Sequence, residues 1–109
     1  MKTDKVKACV LKSLDTSTLT GIYLPVNPLG LDGACFSLRI INNSNKDLTI
    51  SYDGVTDHDF LPAGDYMHYD FQLNWMPGNM LALMAKGTKI YVKATAGTGY
   101  VYVTGYYVE

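Results

Sequence analysis

Two cysteines, no long apolar run and no excess of charge of either sign mark this chain of 109 residues, and each shortage removes a class of protein. Cys9 and Cys35 are too few for a disulfide-built scaffold, and together with two distant histidines they lack the ligand spacing of zinc. Nowhere do about eighteen apolar residues run together, so no segment reads as a helix that spans a membrane. The opening stretch MKTDKVKACVLKSLD threads lysines through a broken apolar run, shorter and more charged than a signal-peptide core. The expectation is a protein made in the cytoplasm without export, in which Cys9 and Cys35 either pair in a disulfide or, the favoured reading for such a chain, are two buried reduced thiols. Nine basic against ten acidic residues leave a net charge of −1. That provides no field to gather a phosphate backbone, so nucleic acid is not an expected partner, and neither is a membrane.

What the chain has in quantity is tyrosine and glycine, nine and ten residues respectively, with few good helix formers in periodic runs. That balance points to strands and tight turns. Apolar residues recur at every second position, with turn signals between the runs, as when each strand buries one face and wets the other. The first run is Lys5 to Lys12, with Val6, Ala8 and Val10 alternating against Lys5, Lys7 and Cys9. A second covers about Leu19 to Leu24 and is closed by PVNPLG, whose prolines cannot donate to a ladder. ACFSLRIIN places Phe36, Leu38 and Ile40 on one face; NNSNKD then reads as a loop, and LTISY as the return strand of a hairpin. Asp53-Gly54 and PAGD are the next turns, with a short extended piece from His58 to Leu61 between them, and YMHYDF alternates Met67, Tyr69 and Phe71 against Tyr66, His68 and Asp70. NWMPGN is a Pro-Gly turn, MLALMAKG a short strand or one helical turn with the strand favoured, and TKIYVKA with YVYVTGYYV a C-terminal hairpin that pairs Ile90 and Val92 with Val101 and Val103. Lys89 and Lys93 either guard a strand edge or form the wet face of their strand.

About eight short strands at roughly ten-residue spacing predict an all-β fold, an antiparallel β-sandwich of jelly-roll or immunoglobulin-like topology. Residues 1–109 form one such domain, and residues 1–30 are an extended N-terminal arm or peripheral strands.

The densest polar stretch is SYDGVTDHDFLPAGD, which holds Asp53, Asp57, His58, Asp59 and Asp65. A calcium loop spaces its oxygens D-x-[DN]-x-[DN]-G, whereas here Leu61 falls at the next alternate position after Asp57 and Asp59, and the glycine is out of frame. Glycoside hydrolysis needs two carboxylates facing across a cleft, and these acids fall at loop or strand ends. His58 and His68 offer bases to Ser37, Ser51 or Cys35, but no G-x-S-x-G surrounds any of them. AGTGY lacks the Lys-Ser/Thr of a phosphate loop and joins two strands, so it is read as a hairpin turn. The acidic stretch is therefore read as turns. No catalytic residue, metal or cofactor is expected.

Tyr23, Tyr66, Tyr100, Tyr102, Tyr106 and Tyr107 with Trp75 remain. Aromatic residues on sheet faces pack a core, fill a subunit interface or stack on sugars; Tyr and Trp suit interfaces because they bury much area and keep a polar tip. These seven are the candidate interface residues, the C-terminal GYYVE foremost.

The segments LRIINNSNKDLTISYDGVTDHDFLPAGDYMHYDF and AKGTKIYVKATAGTGYVYVTGYY resemble small virion structural proteins of tailed bacteriophages. The likeness lies in a strand ending in NNSN, ISYDG at a hairpin, the DFLPAG turn, and KGTKIYVK leading to GTGYVYVTGYY, from about Ser37 to the C-terminus. The resemblance implies a β-sandwich present in many copies on a particle, either decorating the head or forming part of a neck, collar or tail. It implies other virion proteins as partners, self-association, a place in the virion and no catalytic residues. The alternatives from the residues alone are a carbohydrate-binding module that uses the tyrosine face, and a small hydrolase that uses the acids from Asp53 to Asp65.

Overall fold

The computed structural model describes residues 5–70 and 83–108. Among the described residues nine strands form two antiparallel sheets: β1 (Val6–Ala8), β2 (Lys12–Asp15), β3 (Leu24–Pro25), β4 (Cys35–Ser44), β5 (Leu48–Ser51), β6 (Asp59–Leu61), β7 (Tyr66–Asp70), β8 (Tyr91–Lys93) and β9 (Gly99–Val108). The larger sheet runs β1-β9-β4-β7, with β2 also on β9; the smaller runs β3-β8-β5-β6. Because β1 and β2 pair with successive parts of β9, they act as one interrupted strand. Counted so, the first strand pairs with the last, β3 with β8, β4 with β7, and β5 with β6. A long antiparallel ribbon folded over in this nested order is a jelly roll, which decides between the two expected topologies.

Between the sheets lies a core of Leu38, Ile40, Leu48, Ile50, Leu61, Ile90, Val92, Val101 and Val103, joined by Leu19, Val26, Leu31 and Cys35. Four polar residues are buried with them, Thr16, Asn27, Asn42 and Ser51. Among the described residues no buried side-chain nitrogen or oxygen lacks a partner.

Two expected hairpins are instead crossings between sheets. β4 and β5 belong to different sheets, and so do β8 and β9. Ile90 and Val92 therefore face Val101 and Val103 across the core rather than lying beside them, and the AGTG segment is an arch, not a hairpin turn. The physical reason is that strand, turn and strand have the same alternation whether the second strand pairs with the first or lies opposite it. The two crossings are tied together: Asn45 N–H donates to the Thr98 carbonyl (3.1 Å), and Thr98 N–H to Asn45 Oδ1 (2.8 Å).

Other departures are local. The ladder between β4 and β9 slips at Cys35/Ser37, and a bulge of this kind reverses the facing of the residues before it. Cys35 thus enters the core with Leu38 and Ile40, while Phe36 is only half-buried. β4 also continues through Ser44, into the segment read as a loop, because Asn42 finds internal partners there. The first run is broken at Cys9 to Leu11 and its facing is inverted: Cys9 packs on the core while Val6 and Val10 are exposed. In the second run only Leu24 is in a strand, and Pro25 sits with it in β3 at the sheet margin, where its missing N–H removes no ladder bond. Within MLALMAKG, Met84 makes a single bridge to Cys35 and a turn follows, so its described part is not a strand. Phe71, Trp75 and the NWMPGN turn lie outside the described residues.

Candidate interaction face

Each acid of the 51–65 stretch is committed to a contact of its own. Asp53 Oδ1 accepts from the amides of Thr56 (2.7 Å) and Val55 (2.8 Å) and from the Ser51 hydroxyl (2.8 Å). Those donors, the Thr56 amide first, hold its carboxyl well below the usual aspartate range. Asp57 accepts from the Tyr23 hydroxyl and from Lys93 Nζ (3.1 Å), and both lower its pKa. Lys93 also lies over the Tyr23 ring, 4.7 Å from its centroid. Desolvation and then the Asp57 carboxylate push the Tyr23 phenol up to about 12. β8 is an inner strand, so Lys93 marks a wet face and not an edge. Asp59 Oδ2 receives the hydroxyls of Tyr52 (2.9 Å) and Tyr69 (2.6 Å); burial raises both phenols, followed for Tyr52 by the neighbouring Tyr69 hydroxyl and then Asp59, and for Tyr69 by Asp59. His58 Nδ1 accepts from the Tyr52 amide (3.0 Å). Asp65 Oδ1 takes the amide of Tyr66. The carboxylates thus take separate partners: Asp53 and Asp65 serve turns as expected, whereas Asp57 and Asp59, the latter in β6, bind tyrosine hydroxyls of other segments, and among the described residues no three or more His, Cys, Asp or Glu come together as metal ligands.

Asp53 carries a test. A carboxyl whose folded pKa is depressed contributes stability that is present above its unfolded value of about 3.9 and is lost as pH falls through the folded value. In a carboxyl-carbon NMR titration Asp53 is expected to reach its midpoint below about 3.9, with the Val55 and Thr56 amides shifting in step. An ordinary midpoint would mean that the turn is not organised by this side chain.

Ser37 Oγ and His68 Nε2 meet at 3.0 Å on neighbouring strands. The pair lies on the outer face of the larger sheet, where β4 is flanked by β7 and β9. Ser51 is buried in the Asp53 turn, bonded to the Gly54 amide at 2.9 Å.

The tyrosines do converge. In an antiparallel ladder directly opposed residues share a face. Ser13 opposes Tyr102, Tyr102 opposes Ile41, and Ile41 opposes Tyr66, making one row across β2, β9, β4 and β7 on the outer side of the larger sheet. Tyr100 lies in the next row, its ring centroid 6.2 Å from that of Tyr102. Tyr106, opposite Ala8 and Ser37, extends the same face toward Val6 and Val108. Tyr66 is 62% exposed, and Tyr100 and Tyr106 are 45% exposed each, far more than strand packing requires. Arg39, Ile41 and Tyr66 line a shallow concavity of about 200 Å³.

Of the predicted aromatic residues, Tyr66, Tyr100, Tyr102 and Tyr106 therefore share this surface. Tyr107 points the other way and packs on the core beneath Gly33, where an added Cβ would lie 2.3 Å from its ring. Tyr23 is on the smaller sheet's side with Asp57 and Lys93, and Trp75 is outside the described residues. Sequence reasoning omitted Ile41 and Arg39 from this surface. The doubled apolar pair in LRIIN was the available signal, since only one of two adjacent strand residues can face the core.

No family model matches the chain, and no curated protein matches it. Among solved structures it is similar to the crystal structure of the SPBc2 prophage-derived protein YomS, at 14% identity and a TM-score of 0.30, over 100% of this chain and 97% of the other. At that identity and score the likeness fixes neither the role of this chain nor its partners.

Proposed function

We propose that this protein is a non-enzymatic structural component of a bacteriophage particle, an accessory of the capsid-decoration kind, held by repeated protein contacts through the outer face of its larger sheet. The observation that carries the reading is the row Tyr102, Ile41 and Tyr66, flanked by Tyr100 and Tyr106, on the exposed outer face of the larger sheet. A broad, nearly flat aromatic surface suits another protein surface. The adjoining concavity of about 200 Å³ falls short of the roughly 300–1,000 Å³ usual for small-molecule sites. The jelly roll supports the reading at the level of analogy, since viral coat and lectin domains both use it. The strand and turn motifs that resemble those of small tailed-phage virion proteins point the same way, toward major capsid proteins as partners; neck, collar or tail proteins fit the same chemistry.

The exposed Tyr66 ring beside Arg39 favours one other reading, a sugar-binding face. Native mass by light scattering across concentrations separates the two. The expected result is a closed oligomer that a Tyr66→Asp, Tyr102→Asp double variant splits into folded monomers, checked by circular dichroism. A monomer at every concentration that binds a glycan array, and loses that binding in Tyr66→Ala, would overturn the structural role.

A further inference from the structure

Cys9 and Cys35 are 26 positions apart, yet their sulfurs lie 3.5 Å from each other, and both are free thiols. Three features make the meeting specific. β9 runs between the two residues, and its residue at the crossing is Gly105; a Cβ there would sit 3.2 Å from Cys35 Sγ, in the space the thiols share. The Cys9 amide donates to the Gly105 carbonyl at 2.8 Å, and the next amide, of Val10, donates to Asp32 Oδ2 at 2.9 Å, holding the Cys9 segment against the 32–35 segment. Cys35 is fixed in turn by paired backbone bonds with Met84, both 2.8 Å.

We propose that Cys9 and Cys35 are an oxidisable pair that closes into a disulfide, fastening the N-terminal strand β1 across β9 to β4 when the protein meets a disulfide oxidant. This stands on geometry and is independent of the virion role. To reach a bond of about 2.05 Å the two sulfurs must each move by less than about 1 Å.

The chemistry is asymmetric because exposure is. Cys9 is only half-buried and reacts first: its thiolate attacks one sulfur of oxidised glutathione, forming a mixed disulfide and releasing one glutathione thiolate, which takes up a proton. Cys35, deprotonated, then attacks Cys9 Sγ and expels the second glutathione. In sum two protein thiols become one disulfide and one oxidised glutathione becomes two reduced ones. Burial raises the Cys35 thiol to about 12, so the second step is slow and quickens as pH rises.

What the clasp fastens is otherwise weakly held. β1 is three residues long and exposed throughout, and among the described residues its backbone pairs with β9 alone.

The test is to incubate the folded, full-length protein with oxidised glutathione at two pH values, then measure intact mass, free thiols and a non-reducing peptide map. Expected are the loss of two hydrogens from a monomer, a cross-linked peptide joining Cys9 and Cys35, faster closure at the higher pH, and a Tm raised by roughly 10 °C. In Cys9→Ser, Cys35 is expected to stay unmodified. A Cys9–glutathione adduct that never resolves, a Cys9-linked dimer, or two unreacted thiols would each overturn the proposal.

Discussion

Replacing Asn42 by leucine, a side chain of similar size, is expected to lower unfolding free energy by about 3 kcal/mol, near the upper end for single substitutions. Asn42 is 1% exposed, and its amide nitrogen lies within hydrogen-bond distance of three carbonyls, of Leu61 (3.1 Å), Pro62 (3.1 Å) and Lys46 (2.8 Å). Its own backbone N–H donates to the Asp65 carbonyl at 2.9 Å. One side chain thus joins β4 to the crossing that leads to β5 and to the turn that returns from β6 to β7. Leucine fills the space but removes one donor from each carbonyl; the Pro62 carbonyl keeps the Asp65 amide (3.1 Å) and the Lys46 carbonyl keeps the Ser44 hydroxyl (3.4 Å), which holds the loss near the middle of the sum. Urea unfolding with an unchanged m-value checks it. Asn42→Asp sharpens the point, because a carboxylate set against carbonyl oxygens repels them. Its burial raises the pKa above the unfolded value, so that variant gains stability as pH falls and the acid becomes a donor. A loss below about 1 kcal/mol in Asn42→Leu would mean that packing, not donation, holds the junction.

Gly99→Ala is expected to be comparably severe, about 3 kcal/mol or more. Gly99 opens β9 at φ +111°, and a Cβ on it would lie 2.2 Å from the Asn43 carbonyl oxygen and 2.8 Å from Ser44 Cα. Both obstacles are backbone in the paired strand β4, which cannot rotate away. The Gly99 carbonyl also accepts the hydroxyl of buried Thr16 at 2.8 Å, so a shift there disturbs the short 3₁₀ turn after β2 as well. Gly64→Ala is the control: its φ is +76°, but nothing lies within 4 Å of the added carbon, so only the backbone term of about 1 kcal/mol remains. Thermal melts of the two variants should separate clearly. Equal losses would mean that φ alone governs Gly99.

These two residues also show where reading the chain stopped. Asn42 lies in NNSN, a run whose composition signals a loop, because asparagine and serine readily bond their own backbone. The same short amides and hydroxyls can serve as internal struts once another segment supplies carbonyls, and no local pattern tells which segment will. Gly99, in TAGTGY, looked like a turn glycine. It is one, in an arch between sheets, and the requirement for glycine comes from Asn43, far away in the chain.

The interaction face was legible in part. An excess of tyrosine on alternate positions of YVYVTGYYV was visible, and Tyr100, Tyr102 and Tyr106 do share the outer side. Their continuation through Ile41 to Tyr66 required the pairing of β9 with β4 and of β4 with β7, which are distant in sequence. Tyr107 left the set because the side-chain period of a strand is two, so it faces opposite to Tyr106.

By itself the sequence determined the all-β class, most strand positions and the Asp53 and PAGD turns, while the partners of Asp57 and Asp59, Tyr23 with Lys93 and Tyr52 with Tyr69, came from segments that only the fold brings near. Strand order, the two sheet crossings, the bulge that turns Cys35 inward and the meeting of Cys9 with Cys35 were decided only by the tertiary structure. The reason is physical. Alternation records which face of a strand meets the core, a local property of each segment. Which sheet a strand joins depends on pairing and packing across the core, and two strands that pair leave the same alternating record as two that face each other.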